Sequence, residues 1–235
     1  MDNLKNKILS KSDQYNFYKD NYYALLEENK ILKESIPNKD MFKHEIRGSS
    51  VDSGKIIFLK WLFKNVEKNE RILDVGIGSG VYGKLLKTFY YENIDGIDIW
   101  PNDINETGLN YIYDNIFIGD ILDFEFDHYD LIIMGDVLEH IPLKESKELL
   151  DKFINGKASK LFIQVPYMYE NKNAWHGNEN EIHIQDEINK EYMEKEFPFL
   201  KLIEIETVNH ELTALGRKTG KDTEFGTYVW CENQL

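Results

Sequence analysis

The chain has 235 residues, 42% of them hydrophobic, with 28 basic against 42 acidic side chains and a formal net charge of −14 at pH 7. That length supports one α/β domain with a real core and an appendage, and apolar runs of only a few residues exclude a membrane span. The acidic balance disfavours a nucleic-acid partner, which would ask for a basic patch; only Arg47, Arg71 and Arg217 are arginines.

The chain opens on "MDNLKNKILSKSDQ", which is polar and lacks the apolar core of a secretory signal. Residues 1–38 read as a separate helix. Tyr15, Tyr18, Tyr22, Leu25, Asn29, Leu32 and Ile36 alternate at spacings of three and four, the seam of a coiled coil. Asn29 falls at an a position, Glu28 and Lys33 have the offset of an interhelical pair, and Pro37 stops the helix. The pattern predicts a homodimer through this helix; the alternative is a helix packed on its own domain. Residues 39–54, "KDMFKHEIRGSSVDSG", read as an irregular connecting or lid segment.

From Lys55 onward apolar runs alternate with amphipathic segments, the pattern of a parallel sheet covered by helices. "KIIFLKWLFKNV" carries Ile56, Leu59, Phe63 and Val66 at helical spacing. "RILDVG" is a buried strand and "GVYGKLLKTFY" the helix after it. "NIDGIDIW", "NIFIGDI" and "YDLIIMGDV" are the second, third and fourth strands. "LKESKELLDKFI" is a helix, and "KLFIQVP" a fifth strand ended by Pro166. "DEINKEYMEKEF" is a helix before the strand "LKLIEIETV", and "FGTYVWCE" closes the domain as a hairpin partner. That last strand holds the single cysteine, Cys231, so no intrachain disulfide forms, and a reducing cytoplasm is the natural location.

Three glycines, Gly76, Gly78 and Gly80, separate the first strand from its helix. Such a turn places backbone N–H groups and a helix N-terminus beside a ligand, and glycine permits both the turn and the close approach. Alone it fits NAD, FAD, a nucleotide or S-adenosylmethionine. It is not a P-loop, since no Gly-Lys-Ser/Thr follows, and Val81 stands where G-x-G-x-x-G expects its third glycine. Asp98 ends the second strand, where a carboxylate accepts from both hydroxyls of a ribose. Asp120 ends the third, where an acid accepts from an exocyclic amine.

Together "LDVGIGSG", "GIDI", "GDI" and "DLIIMGDVLEHI" resemble the motifs of class I S-adenosylmethionine-dependent methyltransferases, in their small-molecule branch of quinone-biosynthesis and sugar or antibiotic enzymes. The resemblance covers roughly residues 50–235. It implies a Rossmann-like seven-stranded sheet with helices on both faces, its last strand inserted antiparallel beside the fifth. It implies S-adenosyl-L-methionine as cofactor. Asp74 would organise the glycine turn and the cofactor's amino group, and Gly76, Ile77, Gly78 and Gly80 would line the approach. Ile77 departs from the Cys or Ala of many relatives. Asp98 would hold the ribose, Ile99 or Trp100 would cover the adenine, and Asp120 and Ile121 would meet its amine and ring. Asp136 and Val137 would lie near the sulfonium, with a helix N-cap as the other role for Asp136. Arg47 either pairs with the cofactor carboxylate, as in several relatives, or is a surface arginine.

The acceptor belongs past the carboxyl ends of the strands. The longest connection there, residues 167–185, carries Tyr167, Tyr169, Trp175, His176, Glu179, Glu181 and His183. Aromatics can stack on a sugar ring and carboxylates can hold hydroxyls; the loop's Asn and Glu content also suits plain solvation. An oxygen acceptor must lose a proton, and His140 and His183 are the candidate bases. No firm ligand set for a metal stands out. The sequence therefore predicts methyl transfer to a hydroxyl or amine of a small polar metabolite, such as a sugar, nucleotide sugar or glycan precursor. The alternatives are a methyltransferase acting on protein or RNA, and a non-catalytic partner subunit that keeps the fold.

Overall fold

The computed structural model describes residues 53–100, 108–125, 127–172, 174, 178–208 and 222–232. The helix and the homodimer expected of residues 1–38 fall on residues outside them, as does nearly all of the 39–54 segment, Arg47 included. Among the described residues the elements are α1 (Lys55–Asn65), β1 (Ile72–Val75), α2 (Val81–Thr88), β2 (Ile94–Asp98), β3 (Asn115–Ile118), β4 (Leu131–Gly135), α3 (Leu143–Lys152), β5 (Lys160–Pro166), α4 (Lys190–Glu196), β6 (Lys201–Val208) and β7 (Thr223–Cys231).

The seven strands form one sheet in the order β3-β2-β1-β4-β5-β7-β6. Strands β1 to β5 pair parallel, and β7 runs antiparallel to both β5 and β6. This is the arrangement that the methyltransferase resemblance implies, including the inserted last strand. The central strands are apolar without interruption because helices cover both their faces. Alternation divides their side chains. Leu73, Ile132, Met134 and Ile163 enter one core with Leu149 and Leu150 of α3 and Met193 of α4. Ile72, Leu131, Ile133 and Phe162 enter the other, with Phe58 and Leu62 of α1 and Leu86 of α2. At the edge, β6 keeps Lys201 and Glu204 exposed, charges that discourage pairing with another sheet.

Two elements differ from the sequence reading. In α1 the buried residues include Ile57, Phe58, Leu59, Trp61 and Leu62, while Ile56 and Phe63 are half-buried. The helix is apolar nearly all round, so spacing alone did not fix its inner face. Ring contacts do: Phe58 meets Tyr82 at 5.0 Å and Phe162 at 4.9 Å, both edge to face. Helix α4 starts at Lys190, later than the pattern from Asp186 suggests, because Asn189 caps it by accepting from the Tyr192 N–H at 2.8 Å.

One polar pair is built into the space between β1 and α2. The Tyr113 hydroxyl donates to the buried Asp74 carboxylate at 2.6 Å. Burial raises the Asp74 carboxyl to about 7, against the ordinary 3.8, more than the Tyr113 bond and the Lys55 charge pull it down. Tyr113 fits under α2 only because residue 83 is glycine: a Cβ there would stand 2.4 Å from Tyr113 Cζ and 2.8 Å from Ile112 Cγ2.

Two outcomes follow. In an ordinary helix interior Gly→Ala gains about 1 kcal/mol. Here overpacking a buried, hydrogen-bonded ring costs about 1–3 kcal/mol. Gly83→Ala is therefore expected to lower stability by up to about 2 kcal/mol in denaturant titration; a gain in stability would show that Tyr113 yields freely. The second outcome concerns pH. Between about pH 4 and 7 the unfolded Asp74 is ionised while the folded one keeps its proton, so this group's contribution to stability falls as pH rises through that window. Asp74→Asn removes the titration. The stability of wild type relative to Asp74→Asn should decline from pH 4 to pH 7 and then level off; a difference independent of pH would refute it.

Candidate functional site

A cleft of about 500 Å³ opens at the carboxyl ends of β1, β2, β4 and β5, within the range of ligand pockets. The switch in strand order, where β1 sits between β2 and β4, puts it there. The glycine turn forms its floor. Gly76 and Gly78 have φ of 70° and 47°, in the left-handed region that favours glycine. A Cβ on Gly76 would also stand 2.6 Å from Val137 Cγ2. Gly76, Ile77 and Gly78 line the cleft, whereas Gly80 does not. Glycine at 80 is needed for its left-handed backbone, φ 75°, and a Cβ there would also meet Leu109 Cδ2 at 2.3 Å.

Asp98 closes one side. Its two oxygens accept from Gly78 N–H at 2.9 Å and Trp100 N–H at 2.8 Å, so the carboxylate holds the turn and β2 together. Each oxygen keeps lone-pair capacity. Burial raises its pKa, offset in part by those two bonds. Ile99 is exposed and lines the cleft beside it; Trp100 is not among the lining residues. Asp120 and Ile121 line the next stretch, with Asp120 Oδ1 accepting from Leu122 N–H at 2.9 Å. Asp74 lies below the turn and is not itself a lining residue.

Asp136, at the exit of β4, has φ 58°, which aspartate tolerates better than most residues. Both of its carboxylate oxygens are buried and make no hydrogen bond, so it does not act as a helix N-cap. Burial raises it to about 6 against the opposing charge of Lys55. Val137 lines the cleft beside it. Three residues on, Glu139 is 1% exposed, and its Oε2 also lacks a hydrogen-bond partner. Burial and the nearby Asp136 push its carboxyl well up.

The long connection after β5 folds back over this exit. Ile184 and Gln185 N–H donate to the Glu139 carbonyl at 2.9 and 3.0 Å. The Gln185 amide donates to the carbonyls of Leu138 at 2.9 Å and Ile141 at 2.6 Å, and its oxygen accepts from the Tyr192 hydroxyl at 2.7 Å. His183 N–H donates to the Asn171 carbonyl at 2.9 Å. These bonds bring His140 and His183 together, ring centroids 4.8 Å apart and nearly perpendicular. His140 Nδ1 bonds the Ile182 carbonyl at 3.1 Å, and His183 Nδ1 bonds the Tyr169 carbonyl at 2.8 Å. A carbonyl only accepts, so Nδ1 carries the proton in both rings and Nε2 is left as an acceptor. Burial and the neighbouring ring lower His140 to about 4, and burial lowers His183.

Tyr169, Glu179 and Glu181 line the same end of the cleft. Tyr167 does not: it is buried, and its hydroxyl meets that of Tyr228. As the residue following β5 it carries on the strand's alternation, which turns its side chain into the core instead of the loop. Trp175 and His176 lie outside the described residues. Sequence reasoning missed Glu139 and Gln185. Glu139 was visible only as an acid inside an apolar exit, "DVLEHI", where an unpartnered carboxylate is costly.

Residues 55–197 match a family described as methyltransferase domain. A phosphoethanolamine N-methyltransferase of Plasmodium falciparum (isolate 3D7) is 27% identical over 220 residues, which are 90% of this chain and 76% of that protein. A S-adenosylmethionine-dependent methyltransferase from Clostridium acetobutylicum ATCC 824 has the same fold at a TM-score of 0.51 and 14% identity, covering 74% of this chain and 87% of that one. Magnesium protoporphyrin IX methyltransferase from Synechocystis PCC 6803, with bound SAH, gives 0.50 at 13% identity, covering 74% and 80%. The seven-stranded sheet with its inserted antiparallel strand fits these likenesses: the chain belongs to the methyltransferase-domain family and is a class I S-adenosylmethionine-dependent methyltransferase.

Proposed function

We propose that the chain methylates a hydroxyl, or an amine, of a small polar metabolite of the sugar or glycan-precursor type. The observation that carries this reading is the far end of the cleft. It is lined by Asn171, Asn178, Glu179, Asn180 and Glu181 beside the two histidines, and among the described lining residues none is lysine or arginine. Carboxylates and amides accept from and donate to hydroxyls and amines. A phosphate there would face acids, and Lys172, the described cation whose charge reaches His183, is already engaged by Asp186 and Glu170. The acceptor named for the Plasmodium relative, phosphoethanolamine, is for that reason not carried over.

The cofactor end fits S-adenosylmethionine. When bound, that group supplies a methyl carried on a cationic sulfonium. Asp98 accepts from the ribose hydroxyls with the lone pairs that its backbone partners leave. Asp120 accepts from the adenine amine, and Ile99 and Ile121 cover the ring. The turn at Gly76 to Gly78 admits the cofactor's amino-acid part. Asp136 contributes negative charge toward a cation without a competing hydrogen bond. Holding the acceptor in line with the methyl group supplies most of the acceleration.

Asp98→Asn is expected to weaken S-adenosylmethionine binding roughly 10- to 100-fold in calorimetry, the loss of charge-assisted hydrogen bonds worth about 1.5–3 kcal/mol. Unchanged affinity would remove Asp98 from the cofactor site. For the acceptor, labelled S-adenosylmethionine with a panel of sugars, glycosides and amino sugars should give methylated small molecules. Transfer only to phosphoethanolamine, to protein or to RNA would overturn the proposal.

A further inference from the structure

We propose that Glu139, His140 and His183 bind one divalent first-row transition-metal ion at the acceptor end of the cleft. A ligand atom from each of the three lies within 4.8 Å of the others. All three residues line the cleft. Two imidazoles and one carboxylate are a recurring ligand set for such ions, and the set leaves positions open for water or substrate. Imidazole nitrogen favours manganese through zinc over magnesium or calcium, which prefer oxygen throughout.

Three further observations point to an ion. First, each imidazole is held by the hydrogen bond expected behind a metal ligand. Nδ1 is tied to a backbone carbonyl, Ile182 or Tyr169, which fixes the ring and leaves Nε2 as the unprotonated nitrogen. Second, Glu139 is almost fully buried, yet its Oε2 has no hydrogen-bond partner, and both oxygens of the neighbouring Asp136 lack one too. Buried carboxylates without donors are costly unless they are paired or ligate a metal. Third, no lysine or arginine is among the described lining residues; the buried Lys55 opposes the charge of Asp136, while the charges that act on Glu139 are those of Asp136 and Glu181, both negative. His140 does not supply the pairing, since Nε2 stands 4.0 Å from Glu139 Oε1, beyond a hydrogen bond.

Donors sharing one ion stand about 3 Å apart, given metal–ligand bonds near 2.1 Å. The present separation is wider. Binding therefore draws the ligands inward, and Glu139, whose Oε2 has no hydrogen-bond partner, has no bond to break on that side. The backbone bonds from Ile184 and Gln185 to the Glu139 carbonyl hold the two halves of the cluster together meanwhile. The ion's task, which rests on the hydroxyl-acceptor reading above, is to take an acceptor oxygen as a further ligand and lower its pKa, so that the proton leaves to solvent water. The site then does what a lone histidine base was expected to do from the sequence.

The experiment is metal binding by the full-length protein without acceptor. After chelator treatment and exchange into chelator-free buffer, Mn²⁺ is titrated in by calorimetry, and the bound ion is examined by pulsed electron paramagnetic resonance for nitrogen coupling. One ion per chain, coupled to two imidazole nitrogens, is expected. Glu139→Gln and His183→Asn should each weaken binding by at least the roughly 10- to 100-fold that loss of a merely supporting partner costs. Circular dichroism checks that they fold. If both misfold, the wild-type nitrogen coupling still decides. No stoichiometric binding, or binding without histidine nitrogen, overturns the site. Stoichiometric binding with chelator-insensitive methyl transfer overturns the catalytic role alone. Transfer activity toward the wrong acceptor class, with the ion bound as described, overturns the acceptor reading and leaves the metal site standing.

Discussion

Buried negative charge at the carboxyl edge of a parallel sheet governs this molecule. Asp74, Asp98, Asp136 and Glu139 sit at or just past the ends of β1, β2 and β4, and burial raises the pKa of each. An acid with a raised pKa is one whose charged form the fold disfavours. Four together cost stability near neutrality, and a core of this size could have avoided them. They make sense as the receiving end for positive charge. The cofactor brings a sulfonium and an ammonium group, and each acid faces or underlies the cleft proposed to accept them. The stability sacrificed in the free chain becomes binding selectivity, in the way that strained or desolvated groups gather at functional sites.

The scaffold makes this concentration tolerable by spending hydrogen bonds nearby. Asp98 is held by two backbone N–H groups and Asp74 by the Tyr113 hydroxyl. Gln185 has no chemistry of its own in this scheme, yet its amide binds the carbonyls of Leu138 and Ile141 and its oxygen takes the Tyr192 hydroxyl. It ties the exit of β4 to the connection after β5 and to α4. It adds to the backbone bonds from Ile184 and Gln185 to the Glu139 carbonyl, which join the loops of the two histidines. A site made of loop residues becomes as defined as one made of strand residues when the loops share buried hydrogen bonds.

What the sequence disclosed and what it withheld divide along contact range. The glycine turn, Asp98, Asp120 and the closing antiparallel strand were legible because each is a local event: a strand end, a turn requirement, an alternating run. The packing of Gly80 was not, because the neighbour is the side chain of Leu109 across a gap in sequence. Tyr167 looked like a loop aromatic and proved to be core, since only the register of β7 shows that Tyr228 awaits its hydroxyl. The inner face of α1 was hidden by a helix apolar on nearly every side. Glu139 was hidden differently. It sits between two residues that did attract notice, and only its burial without a donor marks it.

The pairing of His140 with His183 shows why spacing could not have revealed the acceptor end. The two are separated by a helix, a strand and a long loop. Their meeting depends on the Ile184, Gln185 and Asn171 backbone bonds and on the two carbonyls that fix Nδ1. Once those are in place the chemistry narrows sharply. Two neutral imidazoles at van der Waals range oppose each other's protonation, and burial opposes it further, so the pair suits an electrophile better than a proton. The adjacent acid supplies the negative charge that a cation needs. The neutral imidazoles that make a poor general base are the form in which histidine ligates a metal, so no proton has to be displaced from Nε2. The acceptor end and the cofactor end of the cleft thus obey one rule, buried acceptors arranged for positive charge, applied to two different cations.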